Sequence, residues 1–212
     1  SGAPGSVEDC AAPIGRWVEL ERVMAESQRL PSGTVTFLLT DIEGSTLAWE
    51  RDAESTSVAV TRHYVILDEV IAAHRGHRPV EQGEGDSTVS AFTTATDAVA
   101  AAVAAQLALS AAGISVRMAV HTGEIELRDE GNYFGPTIIR CARLRSTAHG
   151  GQVVLSDVTR SLVHDHLPPG ASLLDLGPLR LKDLDSPERV WQLCHPGVDQ
   201  GLRAGSNGCG ER

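Results

Sequence analysis

The chain has 212 residues, 42% of them hydrophobic and 22% charged, and a formal net charge of −10 at pH 7. That length suits one compact domain with a sizeable core. The excess of acid argues against an electrostatic nucleic-acid binder and against docking on an anionic membrane. No apolar run is long enough to span a bilayer, since the Ala-rich stretch from Ala98 to Ala112 is short and interrupted by Gln106 and Ser110. Cys10, Cys141, Cys194 and Cys209 are scattered, with neither zinc-ligand spacing nor a small disulfide framework. Ser1 to Gly5 show neither the basic nor the apolar region of a secretory leader. The expectation is a cytoplasmic protein.

In chain order, residues 1–13 are rich in Gly, Pro and Ala and read as disordered. Trp17, Leu20, Val23 and Met24 fall on one face of a short helix over residues 14–29, ended by Pro31-Ser32-Gly33. Residues 1–32 are thus an N-terminal tail and short helix, which either packs on the domain or connects to further domains of a longer parent chain. Residues 34–40 carry β-branched and apolar side chains in a buried-strand pattern, and Asp41 ends that strand. Gly44-Ser45-Thr46 then lead into a short helix from Leu47 through Trp49. A longer helix is predicted over residues 57–74, with Val60, Tyr64, Leu67, Val70 and Ile71 on one side and Gly76 closing it. Strands over 77–82 and 87–92 form a hairpin through Gly83-Glu84-Gly85-Asp86.

Residues 94–112 make a strong Ala- and Leu-rich helix of core-packing type, ended by Gly113. Ile114, Val116, Met118 and Val120 alternate onto one face of a strand over 114–121, and a further strand is expected over 124–127 before an exposed turn at 128–132. Pro136 suits the first position of a helix reaching residue 148. A strand over 152–155, a helix capped by Ser156-Asp157 and running to 163, a bent hairpin over 173–184 and a last strand over 189–193 complete the domain. Residues 196–212 read as a disordered C-terminal tail.

The central order β-α-α-β-β-α-β contains a split βαβ, so the fold class is α+β: a ferredoxin-like (βαββαβ) antiparallel sheet with flanking helices. In that order the first and third strands are antiparallel neighbours. Asp41, at the end of one, therefore meets Asp86, at the start of the other. Two carboxylates held close repel. A divalent cation removes the conflict, and Mg²⁺ takes one or two carboxylates together with phosphate oxygens. The helix start after Asp41 adds free N–H groups suited to phosphate. Singly, Asp41 is explained as a helix cap and Asp86 as a hairpin-turn residue; their convergence favours a shared cation.

Three stretches of this sequence resemble the class III nucleotide cyclases, adenylate and guanylate, in the actinobacterial style. They are Val35-Thr36-Phe37-Leu38-Leu39-Thr40-Asp41-Ile42-Glu43-Gly44-Ser45-Thr46, Gly83-Glu84-Gly85-Asp86-Ser87, and Ala119-Val120-His121-Thr122-Gly123-Glu124 followed by Tyr133-Phe134-Gly135-Pro136-Thr137. The resemblance covers residues 33–193 and implies that residues 33–195 are a cyclase catalytic domain. It implies a head-to-tail homodimer with shared active sites and two ions per site, Mg²⁺ or Mn²⁺. Asp41, Ile42 and Asp86 are the implied metal ligands. Backbone groups of Glu43, Gly44, Ser45 and Thr46 would lie along the metal and phosphates. The implied catalytic residue is Arg143, reaching the partner's substrate, where its fork suits phosphate oxygens. The implied reaction converts ATP to 3′,5′-cyclic AMP and pyrophosphate, with metal-assisted attack by the 3′-hydroxyl.

Three substrate-facing positions depart from the family's usual adenylate pattern. Gln82 stands where a base-reading Lys is usual, and Asn132 where a base-reading Asp is usual. Both are amides, able to donate to adenine N1 and accept from its amine or, flipped, to accept from guanine N1–H and donate to O6. They leave ATP and GTP both open, unless they are simply polar residues of an unused pocket. Ile139 stands where an Asn usually contacts the ribose. Losing such a contact commonly costs about 10²–10³-fold in rate, so the expected activity is low.

The same departures motivate an alternative: a degenerate, inactive domain acting as a nucleotide-binding or dimerising regulatory module. A diguanylate-cyclase-like enzyme is disfavoured because no Gly-Gly-acidic hairpin is present. His121 is expected as a scaffold residue, and His164-Asp165-His166 as solvated loop residues in preference to a metal site.

Overall fold

The structure, a computed structural model, describes residues 30–79, 85–125, 127–129 and 132–198, with 127–129 described by backbone alone. Gln82, the helix expected over 14–29 and the C-terminal tail beyond 198 lie outside the described residues. The elements belong to the compact unit that begins at Pro31.

In order they are β1 (Gly33–Ile42), α1 (Ser45–Arg51), α2 (Ala53–Ala73), β2 (Thr88–Phe92), α3 (Ala95–Ala111), β3 (Val116–Ile125), β4 (Leu127–Asp129), β5 (Asn132–Tyr133), α4 (Pro136–Arg145), β6 (Val153–Ser156), α5 (Asp157–Val163), β7 (Ser172–Leu179) and β8 (Glu188–Cys194). The main sheet runs β2-β1-β3-β6-β8-β7, and β4 pairs with β5 in a small second ladder. Only the β3–β6 pairing is parallel among the described strands. His77 adds a bridge to Ala91 on the outer side of β2. The order β3-β1-β2 follows the ferredoxin-like arrangement that the sequence predicts, with the single bridge at His77 in place of the first residues of the strand expected over 77–82; residues 80–82 lie outside the described residues.

β1 is flanked on both sides and covered on both faces, so it is buried from Val35 to Asp41. One face meets α2, α3 and α5: Leu38, Val116, Met118 and Val120 pack with Leu67, Ile71, Leu109 and Val163. The alanines of α3 keep that helix close to the sheet, with Ala98, Ala101, Ala102 and Ala105 fully buried. Gln106, an interruption in the sequence pattern, is a tie in the structure; its Nε2 donates to Val116 O at 3.1 Å. The other face of the sheet meets α4, where Cys141 Sγ donates to Ala119 O at 3.5 Å. There too the Tyr133 ring meets Phe37 edge-on, with centroids 4.9 Å apart. Among the described residues no helix is long and apolar enough to cross a membrane.

Four element boundaries differ from the sequence expectation. α2 starts at Ala53 rather than 57 because Asp52 caps it, accepting from Ser55 N at 3.0 Å. β3 runs unbroken to Ile125, replacing the separate strand expected over 124–127, because β1 pairs with it as far as Gly33↔Ile125. Gly123, within the unbroken strand, is needed where α4 crosses, since a Cβ there would meet Thr137 Cγ2 at 2.8 Å. α4 ends at Arg145 rather than 148, and Ser146 Oγ donates to the Arg143 carbonyl at its end. The segment expected as a bent hairpin over 173–184 is one strand, β7, paired with β8, and its bend is the register shift between Asp175 and Gly177.

Candidate active site

The β1–β2 register sets Thr40 opposite Thr88, which places the turn before β2 beside the end of β1. Asp41 and Asp86 are both buried there, 9% and 7% exposed. Asp86 Oδ2 accepts from Ile42 N at 2.8 Å. Its Oδ1 has no donor among the described residues. Asp41 Oδ1 accepts from Ser87 Oγ at 2.9 Å, and Asp41 Oδ2 accepts from Arg117 Nε at 2.7 Å. Arg117 is the register partner of Asp41 across the β1–β3 ladder, and its Nη2 joins the same oxygen. Arg145, from the end of α4, donates Nη1 to Thr40 O at 3.0 Å. Its Nε is buried without an acceptor among the described residues. Burial pulls the Arg145 guanidinium below the usual arginine range, and Asp41 opposes that pull most. Two carboxylates thus face two guanidinium groups of the same chain.

Behind the acids, Thr40 Oγ1 shares a 2.7 Å hydrogen bond with Thr88 Oγ1 and lies 3.3 Å from His63 Nε2. His63 is fully buried, and burial pushes its pKa down to about 4 against the opposing field of Asp86. The ring is therefore neutral near pH 7. The next residue of α2, Tyr64, donates its hydroxyl to the Gly85 carbonyl. Gly85 lies at φ 61, a left-handed conformation that glycine adopts without a Cβ clash. α2 therefore pins the turn that presents Asp86.

Beyond Asp41 the chain turns sharply. Glu43 N donates to Ser115 O at 2.9 Å, and Gly44 at φ 74 is the N-cap of α1. No side chain caps α1 and no acid stands in its first turn, so the N–H groups at Ser45 and Thr46, which follow the acid end of β1 in the chain, have no side-chain cap.

The structure brings together Asp41, Ile42 and Asp86, with Glu43, Gly44, Ser45 and Thr46 following directly. No hydrogen bond or ion pair among the described residues joins Arg143, Asn132 or Ile139 to the acids. Arg143 Nη2 donates to Asp183 Oδ2 at 2.6 Å. Ile139, just over one turn earlier on α4, is 52% exposed. Asn132 begins β5 and is half-buried. His121 is buried against Ser156 Oγ at 2.7 Å, a packing role. His164 Nε2 lies 3.1 Å from Asp165 Oδ2, an exposed pair of neighbours.

Sequence reasoning missed Arg117, Arg145, Ser87 and His63. Only Arg117 left a signal: a charge inside the apolar alternation Val116-Arg117-Met118, whose partner depends on register.

Asp41 and Asp86 offer hard carboxylate oxygens beside Ile42, and Asp86 Oδ1 has no donor among the described residues. That chemistry fits a divalent cation of the Mg²⁺ or Mn²⁺ kind. Among the described residues no group of three or more His, Cys, Asp or Glu side chains gathers anywhere. The other ligands would thus be water or phosphate oxygens.

A sequence model of the adenylate and guanylate cyclase catalytic domain matches residues 27–190. An uncharacterised protein of Mycobacterium tuberculosis is 48% identical over 198 residues, which cover 92% of this chain and 69% of that protein. An adenylate cyclase of Lachancea kluyveri is 31% identical over 156 residues, 59% of this chain and 8% of that protein. Among solved structures, an adenylate cyclase from Trypanosoma brucei in its monomeric state matches with a TM-score of 0.67 at 23% identity, covering 79% of this chain and 92% of that one. An adenylate/guanylate cyclase/hydrolase from Silicibacter pomeroyi gives 0.65 at 26% identity, covering 75% and 95%.

Proposed function

The chain belongs to the adenylate and guanylate cyclase catalytic-domain family, and from that premise we propose that it converts ATP to 3′,5′-cyclic AMP and pyrophosphate at a low rate, as a homodimer with two shared sites. The observation that carries this reading is the convergence of two buried acids at the end of β1, Asp86 Oδ2 lying 2.8 Å from Ile42 N beside Asp41. Asp41, Asp86 and the Ile42 carbonyl would hold the cations. When bound, two Mg²⁺ or Mn²⁺ ions supply positive charge at the 3′-hydroxyl and the phosphates. In the reaction the 3′-oxygen bonds to the α-phosphorus, the bond to the bridging oxygen breaks, pyrophosphate leaves and the hydroxyl proton passes to solvent. The chain's own part is positioning and charge. The uncapped first turn of α1, at Ser45 and Thr46, offers amide N–H groups to phosphate, and Arg143 of one protomer offers its fork to the substrate held by the other. Gln82 and Asn132 read the base. Ile139 offers the ribose no hydrogen bond, which keeps the rate low.

Purified protein incubated with ATP and Mn²⁺, with products separated by chromatography, tests the reading. Cyclic AMP that vanishes in the Asp41→Ala, Asp86→Ala double variant supports it; activity that survives in that variant removes these residues as metal ligands. GTP run in parallel decides the purine.

The exposed apolar side chain of Ile139 favours one second reading, a catalytically silent domain that binds nucleotide or dimerises. Ile139→Asn separates the two. A gain in rate marks a working but impaired site, whereas no product from either form marks a silent one.

A further inference from the structure

α4 is tied by two ion pairs on one side of the helix, one to the connection between β7 and β8 and one to the first residue of β8. Arg140 Nη1 donates to Glu188 Oε2, and Arg143 Nη2 donates to Asp183 Oδ2, each at 2.6 Å. The pairs are built differently: the Glu188 side chain is 10% exposed and the Asp183 side chain 60%. Arg143 Nε is buried without an acceptor among the described residues, so one part of its fork is bonded and another is left unsatisfied. Asp183 sits at φ 61, a conformation disfavoured for residues that carry a Cβ. Beneath it Leu181 is buried and accepts from Leu184 N at 3.2 Å. The turn is therefore anchored from below while the carboxylate stands in water.

We propose that Asp183 is a positioning residue for the cyclase reaction, holding the Arg143 guanidinium on its own chain until a nucleotide polyphosphate competes for it. The inference rests on the reading that Arg143 serves a nucleotide. A phosphate presents several oxygens to the fork, whereas Asp183 engages one Nη2 arm. On exchange, Nε gains an acceptor and the Asp183 carboxylate regains its water. The Arg140–Glu188 pair, sheltered on its Glu188 side, ties α4 independently, so the exchange moves a side chain and leaves the helix where it is.

Asp183→Asn tests this, because Asn keeps the shape and tolerates the left-handed conformation while losing the charge. The dissociation constant of α,β-methylene-ATP with Mn²⁺ is measured by calorimetry for wild type, Asp183→Asn, Arg143→Ala and the double variant, with KM and kcat alongside. An exposed pair of this kind predicts about two- to five-fold tighter binding in Asp183→Asn, with KM falling by a similar factor. The gain disappears in the Arg143→Ala background. Glu188→Gln lowers the melting temperature without tightening binding. Unchanged or weaker binding in Asp183→Asn, or a gain that persists without Arg143, overturns the inference while leaving the nucleotide reading intact. Failure of every variant and of wild type to bind the analogue removes the nucleotide reading, and this inference with it.

Discussion

Asp41 and Arg117 face each other as register partners across the β1–β3 ladder, and Arg117 Nε donates to Asp41 Oδ2 at 2.7 Å. With side chains 13% and 35% exposed, the pair is largely sheltered, and register alone delivers it. On the proposed reading, a divalent ion that takes this oxygen displaces a charged donor, which is among the stronger hydrogen bonds in proteins, whereas Asp41 Oδ1 is held only by the Ser87 hydroxyl. Arg117 therefore stabilises the metal-free protein and competes with the cation.

Arg117→Met separates these effects. The metal-free variant loses about 1–3 kcal/mol of stability, since a buried carboxylate forfeits a charged partner. Free Mn²⁺ binds it about tenfold more tightly than wild type, as about 1.4 kcal/mol of competition is removed. Electron paramagnetic resonance of free Mn²⁺, without nucleotide, reads the difference. Equal or weaker Mn²⁺ binding in the variant contradicts the competition.

Tyr64 ties α2 to the turn that presents Asp86, through its hydroxyl and the Gly85 carbonyl. Tyr64→Phe removes that tie and is expected to cost about 1 kcal/mol. Hydrogen exchange at residues 85–87 accelerates more than at α3 if the loss is local. Uniform acceleration would point to global destabilisation instead.

Gly123→Ala forces a Cβ to within 2.8 Å of Thr137 Cγ2 and 2.9 Å of Thr137 Oγ1. Such overpacking costs about 1–3 kcal/mol. Adding Thr137→Ala removes both opposing atoms, so the double variant is more stable than the sum of the single losses predicts. Urea titrations of the four proteins complete the cycle.

Acid sensitivity follows from two buried imidazoles. Burial pushes both His63 and His121 down to about 4 from an ordinary value of 6.5. Between those values the unfolded chain holds more protons than the folded one, so stability falls as pH drops from 6.5 toward 4 and is unaffected by these groups above that window. At pH 5 each ring costs about 2 kcal/mol relative to neutral pH. Urea unfolding at pH 7.5 and pH 5 measures the loss. His121→Gln removes about half of the difference between the two pH values, and an unchanged difference would assign it to other groups.

The acid pair was legible because it depends on topology alone: a split βαβ places the end of β1 beside the start of β2 whatever the register. Its guanidinium partners were not, because Arg117 meets Asp41 only in one register and Arg145 only if α4 stops where it does. Alternation onto one face of β3 was legible through Val116, Met118 and Val120, whereas its length was not. Gly123 carries a turn signal, yet the glycine answers to the crossing of Thr137 above it. The bend over 173–184 was legible and its nature was not, since a bulge and a hairpin turn both call for glycine, here Gly177. Gln106 looked like a polar break in α3, although its amide was reserved for the Val116 carbonyl.

The charge cluster at the end of β1 draws on Asp41, Asp86, Arg117 and Arg145, four stretches of chain far apart in sequence. Such long-range meetings form slowly, after local helices and turns. On the ribosome, Asp41 emerges before its neighbours, which follow only as β2, β3 and α4 are made. The cluster is therefore a property of the finished sheet: until β3 and α4 are made, neither Arg117 nor Arg145 stands beside Asp41.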